Sequence, residues 1–165
     1  MRVAIYPDDE RFLNPSSMLE AIAGQLSETG QTIPQAPSEI CKLIFDSLAL
    51  RYASVLMSIE SIAGQRISAV EILGGGGQNR YLNQMTSNAC GRRVHAGLAE
   101  ATVIGNALVQ AITLGRFSDI AEGRKYVADH HERHVFEPRP VDSFACTLDR
   151  YLDLEKHFVV MGMAA

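Results

Sequence analysis

The run Val70-Glu71-Ile72-Leu73-Gly74-Gly75-Gly76-Gly77-Gln78-Asn79 constrains the fold of this chain more than any other stretch. A short apolar segment stops at four glycines, and an amide side chain then precedes Arg80-Tyr81-Leu82-Asn83-Gln84, which has helical periodicity. The pattern predicts a strand, a glycine turn and a helix start. Main chain without Cβ atoms lets another body come close. A helix N-terminus adds free N–H groups and partial positive charge, which suits a phosphate or another anion. A plain tight turn accounts for one or two glycines but less well for four, so a ligand loop and a structural turn both stand. The tetrad lacks the Lys-Ser/Thr ending of a P-loop, and Asn79 stands where G-x-G-x-x-G needs glycine.

The flanking segments supply the frame. Residues 1–13 read as a strand remnant or an exposed arm. Asn14-Pro15 predicts a helix start, Met18, Leu19, Ile22 and Leu26 recur at helical spacing, and Gly30 stops them. Ser38 is a candidate cap for the longest helix, whose stripe runs Ile40, Leu43, Ile44, Leu48, Tyr52, Val55, Leu56, Ile59 and Ile62 to Gly64. After the strand at 69–73, Tyr81, Leu82, Met85 and Ala89 form the core face of a helix ending at Gly91. Arg93 to Ala96 is a second short strand. Glu100 opens a helix with Ile104, Ala107, Leu108, Ala111 and Ile112 inward and Gly115 at its end. Gly105 inside it costs about 1 kcal/mol against alanine, so a close backbone approach is expected there. Asp119 and Glu122 start a further helix to about Val127. Pro138 and Pro140 mark loop, and an amphipathic piece covers Leu148 to Phe158.

Strand, helix, strand, helix implies an α/β fold, helix-rich, with a small parallel sheet. Two strands are too few for an independent sheet, and the long helix needs a wider apolar surface than they supply. Part of the sheet is expected to be missing on the N-terminal side.

A length of 165 residues fits one domain, and the net charge of −4 argues against binding a nucleic-acid backbone. No apolar run approaches the roughly 18 residues of a membrane span, and Asp8-Asp9-Glu10 follows too soon for a signal-peptide core. Three widely spaced cysteines, Cys41, Cys90 and Cys146, fit reduced thiols, so a cytoplasmic location is expected.

Elsewhere the bland readings prevail. His130, His131 and His134 do not follow H-E-x-x-H, because Glu132 lies between histidines three apart, and they read as a surface cluster. Asp8, Asp9 and Glu10 read as a solvated face, and Cys90 as a buried structural thiol. No catalytic residue and no metal ligand is assigned in this chain.

Several blocks together resemble the FGGY carbohydrate kinases. Ile72 to Asn79, Leu82-Asn83-Gln84-Met85 and Ala89-Cys90-Gly91 resemble that family's adenosine motif. Ala96-Gly97, Glu100-Ala101-Thr102 and Gly105-Asn106 to Gly115 match its next block. Asp8 to Pro15 and Glu39 to Tyr52, with Ser47-Leu48-Ala49-Leu50, resemble the branch that acts on L-rhamnulose. The resemblance is colinear over about residues 6–140. It implies an actin-like, ribonuclease H-like sugar-kinase fold of two domains, with ATP in the cleft between them. The implied activity is magnesium- and ATP-dependent phosphorylation of L-rhamnulose at its 1-position. The loop glycines, here Gly75 and Gly76, would pack against the adenosine and its nearest phosphate, and Asn79 would reach the adenine edge.

On this resemblance, residues 1–140 correspond to an incomplete C-terminal nucleotide-binding domain, and 141–165 to a terminal tail. The sugar pocket, the phosphate-binding hairpin and the aspartate that accepts the sugar proton belong to the family's first domain and have no counterpart here. The chain is therefore expected to be an expressed piece or the product of a truncated reading frame, inactive alone. The alternative is a stand-alone, non-catalytic module binding an adenine nucleotide or a protein partner, with Met1 a genuine start. Uncovered apolar surface on helix 38–63 or at open strand edges predicts self-association.

Overall fold

The computed structural model describes residues 3–97, 99–131, 133–139 and 142–162. Helices α1 (Met18–Glu28) and α2 (Pro37–Ala63) come first, then strand β1 (Ala69–Ile72) and helix α3 (Arg80–Cys90). Strand β2 (Arg93–Ala96), helices α4 (Ala101–Thr113) and α5 (Ile120–His130), strand β3 (His134–Phe136) and helix α6 (Asp142–Gly162) complete the order.

The sheet runs β1-β2-β3. β1 and β2 are parallel as expected, with Val70 beside Val94 and Ile72 beside Ala96. β3 pairs antiparallel with β2, so the sheet is mixed rather than purely parallel. No sequence pattern marks β3, since three residues are too short to show a period of two. Val94, Ala96 and Phe136 form its core, with Val70 and Ile72 against them.

Two further cores meet along α2. On one side Ile5, Ile22, Leu26 and Leu43 cluster, and on another Ala4, Tyr6, Leu50, Tyr151 and Phe158. Each fully buried side chain of this size contributes roughly 1.5–3 kcal/mol. The segment read as a terminal tail thus supplies Tyr151 and Phe158 to the core through α6. Arg51 of α2 pairs with both Asp8 and Glu155, and the Ser54 hydroxyl also donates to Glu155, which ties α6 to α2.

Ala4 to Tyr6 form neither an exposed arm nor a paired strand. All three are buried without regular secondary structure, and side chains supply the partners a neighbouring strand would. The Gln31 amide accepts from Ala4 N at 2.9 Å and donates to Ala4 O at 2.8 Å. Gln25, itself fully buried, accepts from Tyr6 N at 2.7 Å and donates to its carbonyl at 3.3 Å, and Ser47 Oγ accepts from Ile5 N at 3.0 Å. Buried main-chain groups need partners, and these side chains provide them.

Helix starts differ from the sequence reading in detail. α1 is capped by Ser17, whose Oγ accepts from Glu20 N, and not by Asn14. α2 begins at Pro37 with Ala36 as N-cap and Glu39 reaching back to Ala36 N, so Ser38 does not cap it. Gly30, Gly64, Gly91 and Gly115 follow the ends of α1 to α4 as expected, each with positive φ.

The apolar stripe of α2 is only partly core. Leu43 and Leu56 are buried, but Tyr52, Val55, Ile59 and Ile62 are exposed, Ile62 by 88%. Besides Leu50, the buried face carries Asp46, Ser47, Ala49, Ala53 and Ser54, small or polar residues that admit close packing of α3 and α6. α4 likewise buries Leu108 alone and leaves Val103, Val109 and Leu114 exposed. The close approach expected at Gly105 is absent among the described residues, since a Cβ there would meet none of their atoms within 4 Å. It occurs at Gly123 of α5, where a Cβ would lie 3.0 Å from Leu108 Cδ2.

The acidic cluster is also not a simple solvated face. Asp8 pairs with Arg51 at 2.7 Å, while Asp9 caps a short turn at Glu10–Phe12 and accepts from Arg11 N and Gln25 Nε2 at 3.0 Å.

Candidate functional site

Parallel pairing places the carboxyl ends of β1 and β2 side by side, with Gly97 N donating to Ile72 O at 3.0 Å. Ligands of open α/β sheets lie outside such strand ends. The glycine tetrad leaves β1 at this point. Gly74 has φ +82°, a conformation L side chains rarely adopt, and turns the chain out of the strand. Gly75–Gln78 form one 3-10 turn, Asn79 follows in extended backbone, and α3 begins. Asn79 caps α3, its Oδ1 accepting from Leu82 N at 3.0 Å, as the sequence predicted for the amide.

The four glycines differ in what they require. Gly77 is buried, and a Cβ on it would stand 3.2 Å from Ile72 O and 3.7 Å from Gly97 O. Its N–H donates to Gly74 O at 3.0 Å, and its carbonyl accepts from the Asn83 side chain at 2.7 Å. Gly75 and Gly76 are exposed, have no positive φ, and would carry a Cβ without meeting any atom within 4 Å. Fold and backbone therefore explain glycine at 74 and 77. At 75 and 76 nothing within the described chain demands it.

The first turn of α3 is held from below. Tyr81 OH donates to Asp46 Oδ1 at 2.7 Å, Lys42 Nζ donates to Tyr81 OH at 3.0 Å, and Lys42 pairs with the buried Asp46. Burial pushes the Tyr81 phenol above its usual pKa, so at neutral pH it remains a donor. Tyr81 is thus 39% exposed and tethered, not a core residue as its phase predicted. At the other end of α3, Ser87 Oγ lies 2.8 Å from the carbonyls of both Arg92 and Phe136, joining the helix to β3. The sequence reading names Asn83 only within a family block and Tyr81 only as a core residue, and gives no role to Asn83 or to the Lys42–Asp46–Tyr81 group. Asn83 left a trace there, a polar residue next to Leu82 on a helix whose inward face was read as apolar.

Other candidates are structural. The Cys90 thiol is partly buried, and burial pushes it up to about 11, so it is not a nucleophile near neutrality. His130 stacks on Tyr126 at 4.0 Å between ring centres, with Nδ1 2.7 Å from Tyr126 O. His134 lies in β3, not on the helix with His130. Among the described residues no group of three or more His, Cys, Asp or Glu side chains is placed to hold a metal ion. No helix of the described residues is long and apolar enough to cross a membrane. A cleft of about 40 Å³ between Leu73, Gly97 and the end of α5 has room for water but not for a nucleotide base. The loop itself faces outward.

A β1–glycine loop–α3 unit at paired parallel strand ends defines an α/β protein, and the family is narrower still. Residues 1–114 match the FGGY family of carbohydrate kinases, C-terminal domain, and the chain belongs to that family. It is 40% identical over 144 residues to a rhamnulokinase from Enterobacter sp. (strain 638), a match covering 87% of this chain and 29% of that protein. The crystal structure of xylulose kinase from Rhodospirillum rubrum has the same fold, with a TM-score of 0.58 at 18% identity over 81% of this chain and 26% of the other. The chain thus spans less than a third of these relatives' lengths.

Proposed function

We propose that this chain is the ATP-binding, C-terminal part of a rhamnulokinase-like sugar kinase, acting in rhamnose metabolism when joined to a sugar-binding domain. The observation that carries the reading is the pair Gly75 and Gly76, which are open to solvent and glycine for no reason internal to the described fold. A nucleotide lying against bare main chain supplies that reason. The adjacent helix start offers dipole and N–H groups to a phosphate, and Asn79, whose cap uses Oδ1, would offer Nδ2 to the base edge. ATP supplies the transferred phosphoryl group. Magnesium would arrive with the nucleotide phosphates, since the described residues offer no cluster of their own for it.

L-rhamnulose is the sugar this reading assigns, from the likeness to the Enterobacter enzyme. Transfer needs the sugar hydroxyl, its base and the phosphate positioned together. The chain holds one side of the nucleotide site, so by itself it is inactive. We place it in the cytoplasm, where ATP is available, and expect it to self-associate through the exposed end of α2. The competing reading is a stand-alone, non-catalytic module that binds an adenine nucleotide or a protein partner.

The test is an NMR titration of the isolated chain with ATP, alongside a coupled assay for phosphorylation of L-rhamnulose. Amide shifts centred on Gly75, Gly76 and Asn79 with no turnover are expected. Turnover by the chain alone would refute its dependence on another domain. Unmoved loop amides at millimolar ATP would refute nucleotide binding.

A further inference from the structure

Asn83 is fully buried one turn into α3, yet half of its amide has no partner among the described residues. Its Nδ2 donates to the carbonyl of Gly77 at 2.7 Å, while Oδ1 is enclosed and accepts nothing. The orientation is fixed by chemistry, because Gly77 O is an acceptor and only the NH2 end can face it. A buried amide with an unsatisfied oxygen costs stability that an apolar side chain would not. Packing alone therefore does not explain the residue.

What the bond does follows from where Gly77 sits. It is the one buried glycine of the loop, set against Ile72 O and Gly97 O. Its N–H is bound within the turn to Gly74 O. Asn83 closes the remaining side, so Gly77 becomes the fixed point over which the exposed Gly75 and Gly76 arch. Main chain without side chains is otherwise the least ordered kind. A loop ordered before its ligand arrives does not lose that freedom on binding.

We infer that Asn83 is a positioning residue that holds the Gly75–Gly76 main chain in its nucleotide-binding shape through Gly77, a role that rests on the nucleotide reading above. It touches no ligand. Its effect is on affinity for the adenine nucleotide through loop order.

Asn83→Asp tests this with almost unchanged shape. Above neutrality the introduced carboxylate sets oxygen against the Gly77 carbonyl, and ATP affinity of the folded variant should fall about tenfold, the worth of one such bond. Hydrogen exchange should accelerate at Gly76 to Gln78 but not in α2. As pH falls the protonated carboxyl regains a donor, so the affinity gap to the unsubstituted chain should close, which a purely structural lesion would not do. An unsubstituted chain that binds ATP, with an Asn83→Asp variant equal to it at every pH, overturns the inference and leaves the nucleotide reading intact. An unsubstituted chain that binds no ATP overturns both. Should the variant not fold, the Asn83 side-chain resonances of the unsubstituted chain carry the test. The Asn83 side-chain amide protons should be protected from exchange before ATP is added, and overturn the inference if they exchange as fast as those of an exposed amide.

Discussion

The position a Cβ would take on Gly77 lies 3.2 Å from the main-chain oxygen of Ile72, while on Gly75 the same atom would touch nothing. The two sites should therefore respond oppositely to side chains. Gly77→Ala forces the β1 terminus apart and should destabilise by about 1–3 kcal/mol in denaturant unfolding. Gly75→Val should change stability by less than about 0.5 kcal/mol, as for an exposed site, yet abolish the ATP-induced shifts of the loop. A Gly75→Val chain that binds ATP normally would remove the reason given for that glycine.

Asn79 serves the fold and, on the proposed reading, the ligand, and one pair of substitutions separates them. Asn79→Ala removes the cap on Leu82 N and should cost about 1 kcal/mol. Asn79→Asp keeps a capping oxygen and adds charge that the helix dipole favours, so stability should hold or rise. The same negative charge opposes phosphate, and ATP binding should weaken. Thermal melts and ATP titrations of both variants decide it.

The carboxyl of Asp9 should make stability fall in acid. Partial burial raises its pKa, but hydrogen bonds from Arg11 and Gln25 outweigh this and hold it below the usual carboxylate range. A depressed folded value means stability that is present above the unfolded pKa, about 4, and is lost as pH falls through the folded one. Asn in its place lacks this dependence. The stability difference between the unsubstituted chain and Asp9→Asn should be constant near neutrality and shrink below about pH 4, as read by unfolding at several pH values.

Ile59, half-exposed, and Ile62, 88% exposed, put apolar side chains in solvent at the end of α2. Sedimentation velocity should show concentration-dependent association, and Ile62→Glu should shift it toward monomer without lowering the melting temperature. A monomer at high concentration before substitution would remove this expectation.

Local chemistry made the central unit legible. Glycine after an apolar run, an amide before a periodic segment and glycines at helix ends are read from neighbours in sequence, so β1, the loop, α3, β2 and the ends of α1 to α4 were visible. β3 was not, because three residues carry no period and the strand exists only through pairing with β2. Nor were Gln25 and Gln31, polar residues whose value lies in imitating a strand for Ala4 and Tyr6. In the candidate site the same division holds. The sequence marked Gly75, Gly76 and Asn79, but could not tell them from Gly77, nor see Asn83 beneath it.

By itself the sequence determined where the main chain must be bare and where helices begin and stop, since these depend on φ, Cβ and hydrogen bonds within a few residues. Tertiary structure decided which glycines the fold consumes and which it leaves open. It also decided which face of α2 is buried and that α6 belongs to the core. Those outcomes depend on what arrives from distant parts of the chain, such as Gly97 beside Ile72 or Glu155 beside Arg51, and no local pattern encodes such distances.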